Sequence, residues 1–110
     1  MADLYALAAR LQRINDTDAR LAARDAAALA RDAQVTHDLA TSDRLSGAAL
    51  AMRHALIDLA QDEIVGERNK VRAIADWNRQ DRERLAADAK AAGVTIEQLQ
   101  ALIDEEDGHA

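Results

Sequence analysis

Leu7, Ile14, Leu21, Ala28 and Val35 recur every seven residues along the first forty positions of this chain. A sustained apolar repeat at that spacing calls for a long α-helix packed along its length against another helix. The companion positions, offset by three or four, are Leu4, Leu11, Asp18, Asp25, Asp32 and Leu39. One half of the seam is therefore apolar throughout, and the other carries three aspartates in its middle. If those aspartates are buried they need cationic partners, because an unpaired carboxylate out of water is costly; arginines of a second chain would supply them. A straight helix, however, drifts by ~20° per heptad off a strict seven-residue repeat. The apolar face then turns at Leu21 onto the adjacent stripe Ala22, Ala26, Leu29 and Ala33. Asp18, Asp25 and Asp32 stay in water at its edge, near Arg24 or Arg31. Charged residues are seldom fully buried, so wet aspartates are the expectation.

Composition fixes the class. About a quarter of the residues are alanine, there is no proline, glycines number 4 and aromatics make up 2%. Alanine has the highest helix propensity and proline the lowest, while the residues that favour strands are scarce. The expected fold is all-α: a long antiparallel two-helix hairpin, coiled-coil-like, with a short C-terminal helix. The first helix spans 3–40, capped by Asp3. The bend is 41–47, around Thr41-Ser42-Asp43 and Ser46-Gly47. The second helix spans 47–92, with Leu50, Ile57, Ile64 and Val71 at sevenfold spacing and Gly93 at its C′ position. Thr95 and Gln98 form a capping box, with Val94 and Leu99 as its hydrophobic staple. The third helix spans 96–104. Residues 1–104 make one helical domain, and 105–110 are an acidic tail expected to fray. Apolar periodicity continues through Asn15–Asp18 and through Gly66, so neither long helix is expected to break.

A bend near Asp43–Arg44 makes the long helices antiparallel neighbours, residue i facing about residue 88 minus i. Ala22–Ala33 then face Leu56, Ile57, Leu59 and Ile64, while Leu4, Leu7 and Leu11 face the Trp77–Leu85 region. The densest core is expected at that end, near Tyr5 and Trp77, where the third helix folds back. With so little bulky apolar mass the core is thin, and a partner or oligomer is expected to complete it.

The net charge of −6 is unevenly placed. Acids and bases nearly balance through residue 92, whereas residues 93–110 carry five acids and no base. A nucleic-acid binder shows a basic stripe, and this chain has none, so no nucleic-acid partner is expected. The arginines around Trp77 interleave with acids, and Arg72–Asp76, Arg79–Glu83 and Arg84–Asp88 are spaced for i,i+4 ion pairs on a solvated face. Trp77 itself is read first as core and second as an interface anchor.

Chemistry-bearing constellations are incomplete. There is no cysteine. Ser42 and Ser46 sit in the bend, a helical turn or more from His37, with no glycine-rich oxyanion loop. His54, Asp58 and Asp62 share a helix edge but lack the Glu-x-x-His partner of helical carboxylate sites; the one such pair, Glu106 with His109, lies in the tail. No catalytic residue, metal ligand, cofactor or small-molecule substrate is therefore assigned. No stretch is apolar enough to span a membrane and no leader pattern is visible, so a cytoplasmic address is expected, with signal-less secretion as the alternative.

The expected function is that of a non-enzymatic assembly or adaptor subunit, docking on a protein partner (itself or a larger complex) through helix faces. The interface candidates are Trp77, Arg79, Arg82 and Tyr5, with Asp18, Asp25 and Asp32. One alternative is a small acidic inhibitor that sets Asp104–Asp107 on a basic enzyme surface. Another comes from resemblance. A bend reading Leu45-Ser46-Gly47, and the four-residue spacing of Trp77 and Asp81, give an outline that resembles the secreted helical hairpins of type VII systems, the WXG100/ESAT-6 family. That family carries Trp-x-Gly in the bend and Tyr-x-x-x-Asp/Glu in its export signal. Here the bend tryptophan is absent and the second motif has the other aromatic. The resemblance implies a secreted hairpin; the hairpins of flagellar export machinery are similar in outline too, without a motif.

Overall fold

The structure is a computed structural model and describes residues 3–108. Among the described residues there are three α-helices, α1 (Leu4–Ala40), α2 (Gly47–Ala91) and α3 (Ile96–Gly108), a 3-10 turn at Ser42–Arg44, and no strand. The chain is all-α. α1 continues through Asn15–Asp18 and α2 through Gly66 without interruption.

Each boundary has a local cause. The Asp3 side chain accepts the backbone N–H of Tyr5 at 3.0 Å, satisfying a donor that the first turn of α1 leaves free. At the end of α2, Gly93 takes φ +75°. Its N–H donates to the carbonyl of Lys90, and the N–H of Val94 to that of Ala89, the paired bonds of a Schellman end. Thr95 and Gln98 then cap α3 reciprocally: Gln98 N–H donates to Thr95 Oγ1 at 3.1 Å, and Thr95 N–H to Gln98 Oε1 at 2.9 Å. α3 runs to Gly108, past the expected stop at Asp104. Nothing after Asp104 breaks a helix until Gly108, and Gln100 donates to the Asp104 carboxylate one turn on. His109 lies outside the described residues.

The chain divides into two compact units, Met1–Arg20 with Ile74–Ala110, and Leu21–Ala73. The first is a three-helix cluster. Leu7, Ala8, Leu11 and Ile14 of α1 pack with Leu85 and Ala89 of α2 and with Leu99 and Ile103 of α3. Leu11, Leu85 and Leu99 are the most completely buried large side chains. The second unit is thinner. Its core cluster is Val35, Ile57 and Ile64, with Ala60 against it, and Leu21 and Ala28 are also buried.

The seven-residue lines are the buried lines. Leu7, Ile14, Leu21, Ala28 and Val35 are all buried along α1. On α2, Ile57, Ile64, Asn78 and Leu85 are buried at the same spacing, with Val71 half-buried between them. The alternative stripe Ala22, Ala26, Leu29 and Ala33 is exposed. The apolar face therefore does not turn at Leu21. Leu21 and Val35 on the strict repeat offer more apolar area than Ala22 and Ala33 beside them, and contact area sets the gain on burial; Ala28, on the line between them, is buried in place of the bulkier Leu29.

Within the second unit, Arg24 meets Glu67, Arg31 meets Glu63 and Asp38 meets Arg53. Partner numbers fall along α2 as they rise along α1. The partners lie about three to six positions further along α2 than a reversal at Asp43–Arg44 gives. The reason is the turn. Ser42–Arg44 still coils as a 3-10 turn, Leu45 is the first extended residue, and the chain reverses after it. Leu56 and Leu59, expected in the seam, are exposed, because they lie about a quarter-turn or more round the helix from buried Ile57 and Ile64.

Candidate functional site

In the first unit the polar side chains converge on Asp18. Asn78, buried on the seven-residue line of α2, donates Nδ2 to the carbonyl of Ile14 at 3.0 Å and to Asp18 Oδ1 at 2.7 Å. Arg82, one turn on, donates to Asp18 Oδ2 at 2.5 Å. Asn15 donates across to Gln100 of α3 at 2.9 Å. Asp18 is thus wet, with 53% of its side chain exposed, and held by an asparagine and an arginine of its own chain. In the second unit Asp25 is half-buried with Arg68 at 3.6 Å, and Asp32 is exposed without an ion pair among the described residues. None of the three aspartates is buried. Their partners are Arg82 and Arg68 rather than the Arg24 and Arg31 of the sequence reading; those two reach across to Glu67 and Glu63 instead.

The Trp77 surface comes apart. Trp77 and Tyr5 are each 72% exposed, so neither joins the core expected for Trp77. Arg82 is committed to Asp18. Arg79 pairs along its own helix with Asp76 and Glu83, and Arg84 with Asp81. Of the expected i,i+4 pairs only Arg79–Glu83 forms; Asp88 pairs with Arg10 of α1 instead. Residues two apart on a helix do not share a face, which separates Trp77 from Arg79.

The second unit carries an open groove floored by Ala27, Ala28, Ile64 and Gly66, with Arg24, Arg31, Glu63, Glu67 and Lys70 around it. The Arg24–Glu67 pair is hydrogen-bonded at 2.7 Å. That bond, with the attraction of the guanidinium, holds the Glu67 carboxyl below its ordinary range and Arg24 above its own. In the same unit α2 presents large apolar side chains to solvent: Met52 is 68% exposed, Leu56 58% and Leu59 56%.

Elsewhere the polar groups have structural employment. Ser42 is buried and its hydroxyl donates to the carbonyl of Asp38 at 2.7 Å. His54, Asp58 and Asp62 are exposed, and no group of three or more such ligands comes together among the described residues. Likewise, no described helix is long and apolar enough to cross a membrane. Sequence reasoning passed over Asn78 and the Met52–Leu56–Leu59 face. The signal for Asn78 was its place in the series Ile57, Ile64, Val71, Asn78, Leu85. Against known proteins, no family model, curated protein or solved structure matches the chain.

Proposed function

We propose that this chain is a non-enzymatic interaction subunit, a coiled-coil-like helical hairpin that docks on a protein partner through the outer face of α2. One observation carries the reading. Met52, Leu56 and Leu59 are more than half exposed on consecutive turns of one helix, in the unit with the thinner core. Large apolar residues grouped on a surface mark interaction sites, whereas scattered ones need no explanation. The spacing i, i+4, i+7 is that of anchors on a helix that lies in a groove or against another helix.

The non-enzymatic part rests on how the polar side chains are used. The convergent set, Asp18, Asn78 and Arg82, is consumed in joining α1 to α2. The groove arginines are likewise engaged with Glu63 and Glu67.

The test is the native mass of the chain in extract of its own cells, for the wild type and for a variant with Met52, Leu56 and Leu59 all changed to Ser. The wild type is expected in an assembly heavier than one chain and the variant outside it, with helicity retained. Wild type migrating as a single chain contradicts the reading.

A further inference from the structure

We infer that the partner of the outer face of α2 is a second copy of this chain, lying antiparallel to the first and crossing it at Gly66. This rests on the interaction-subunit reading above and adds the occupant and its orientation.

The first ground is charge order along α2. From Asp58 to Glu67 the helix carries four acids, Asp58, Asp62, Glu63 and Glu67, and no base. From Arg68 to Arg72 it carries three bases, Arg68, Lys70 and Arg72, and no acid. The sign changes next to Gly66. A second copy laid parallel sets like charge on like. Laid antiparallel about Gly66, it sets the acidic half of each copy against the basic half of the other, twice by symmetry. Helical spacing puts Lys70 and Asp62, one turn either side of Gly66, on its face, so each Lys70 meets Asp62 of the other copy. Asp62 and Lys70 have no ion-pair partner within their own chain among the described residues, so they are free for this.

The second ground is Gly66. It sits exposed in the interior of α2, and a Cβ built there meets no atom within 4 Å. Nothing in its own chain requires a glycine. Two helices can approach most closely where neither has a side chain, and a two-fold crossing places both glycines there. Leu59 of each copy then covers Ala73 of the other, and the second helix closes the groove floored by Ala27, Ala28 and Ile64.

The third ground is area. The chain exposes 7881 Å², against about 5,900 Å² for a compact monomer of 11.9 kDa. A stable interface takes about 800 Å² from each partner, and the excess accommodates that with room to spare.

The experiment is sedimentation equilibrium of the purified full chain at 1–200 µM, with Gly66→Leu, Lys70→Glu and Asp62→Lys/Lys70→Glu variants, helicity followed by circular dichroism. The wild type is expected to dimerise. Gly66→Leu and Lys70→Glu should weaken the dimer by about tenfold or more while keeping helicity, as like-charge or steric opposition across an interface does. The double charge exchange should restore much of the loss. As a check of the crossing point that needs no destabilised variant, Gly66→Cys should form a disulfide-linked dimer under mild oxidation, since the chain has no other cysteine. A wild type that stays monomeric while the cell-extract assembly persists overturns the second-copy inference and leaves the interaction reading standing. A dimer indifferent to Gly66→Leu and Lys70→Glu overturns the crossing at Gly66.

Discussion

Asn78 of α2 donates its side-chain amide to the main-chain carbonyl of Ile14 and, with its other proton, to the Asp18 carboxylate. It occupies a position where the seven-residue line otherwise places Ile57, Ile64 and Leu85. A single polar residue on an apolar seam fixes which turn of one helix meets which turn of the other, at some cost in stability. Asp18 thus accepts the amide that sets this register, while about half of its side chain stays in water, as expected for the seam aspartates.

Asn78→Ala should therefore destabilise the fold by about 1–3 kcal/mol, because two hydrogen bonds are lost, one of them to a charged acceptor. Asn78→Leu should recover apolar contact but relax the register. Urea unfolding measures the first, and loss of sharp side-chain resonances around Ile14 reveals the second.

The two glycines of α2 and its end should respond in opposite ways. Gly66→Ala, on an unopposed helix face, should raise stability by about 0.8–1 kcal/mol. Gly93→Ala should lower it by about 1–2 kcal/mol, since φ +75° strains any residue with a Cβ. Thermal unfolding at concentrations low enough to keep the protein monomeric checks both.

Core and face leucines should separate cleanly. Leu11→Ala or Leu85→Ala should cost about 2–5 kcal/mol, with a cavity left among Leu7, Ala89 and Leu99. Leu56→Ala or Leu59→Ala should change monomer stability by within about 0.5 kcal/mol, as surface substitutions do. A comparable cost at both places, read by denaturant titration, would mean that the outer face of α2 is already covered within the chain.

The Glu67 carboxyl titrates below its ordinary value in the folded chain because Arg24 is bonded to its charged form. A depressed folded pKa gives stability that is present above the unfolded value of ~4.3 and lost as pH falls through the folded one. Acid should therefore loosen the second unit. Glu67→Gln should flatten the decline in stability below about pH 4.5, where the unfolded carboxyl begins to take up its proton. Arg24 is raised and stays charged throughout, so it adds no slope of its own.

Residues with a strict spacing or a local partner were legible in the sequence. The line Leu7 to Val35 is buried as its repeat requires, and Asp3, Gly93 and the Thr95–Gln98 box act where their chemistry puts them, because each needs only neighbours within a few positions. What escaped depended on distant partners. The Ala22–Ala33 stripe is as periodic as the true seam, and only packing against Ile57 and Ile64 decides between them. Trp77, expected first as core and second as an interface anchor, stands in water. Asp25 found Arg68 rather than Arg24 because the chain reverses after Leu45, a shift of a few residues that a turn sequence alone does not fix. Of the interface candidates, Arg82 and Asp18 met each other and Asp25 met Arg68. Met52, Leu56 and Leu59 became visible as a face once Ile57 and Ile64 were seen to take the inward side.

The most direct measurement is hydroxyl-radical labelling of Leu56 and Leu59 in the protein as it assembles, with Ile57 as the buried reference and Leu29 as an exposed one. The account expects labelling of Leu59 and Leu56 to fall several-fold on assembly, towards that of Ile57, while Leu29 is unchanged. Leu56 and Leu59 labelling as heavily in the assembly as in the isolated chain would contradict it.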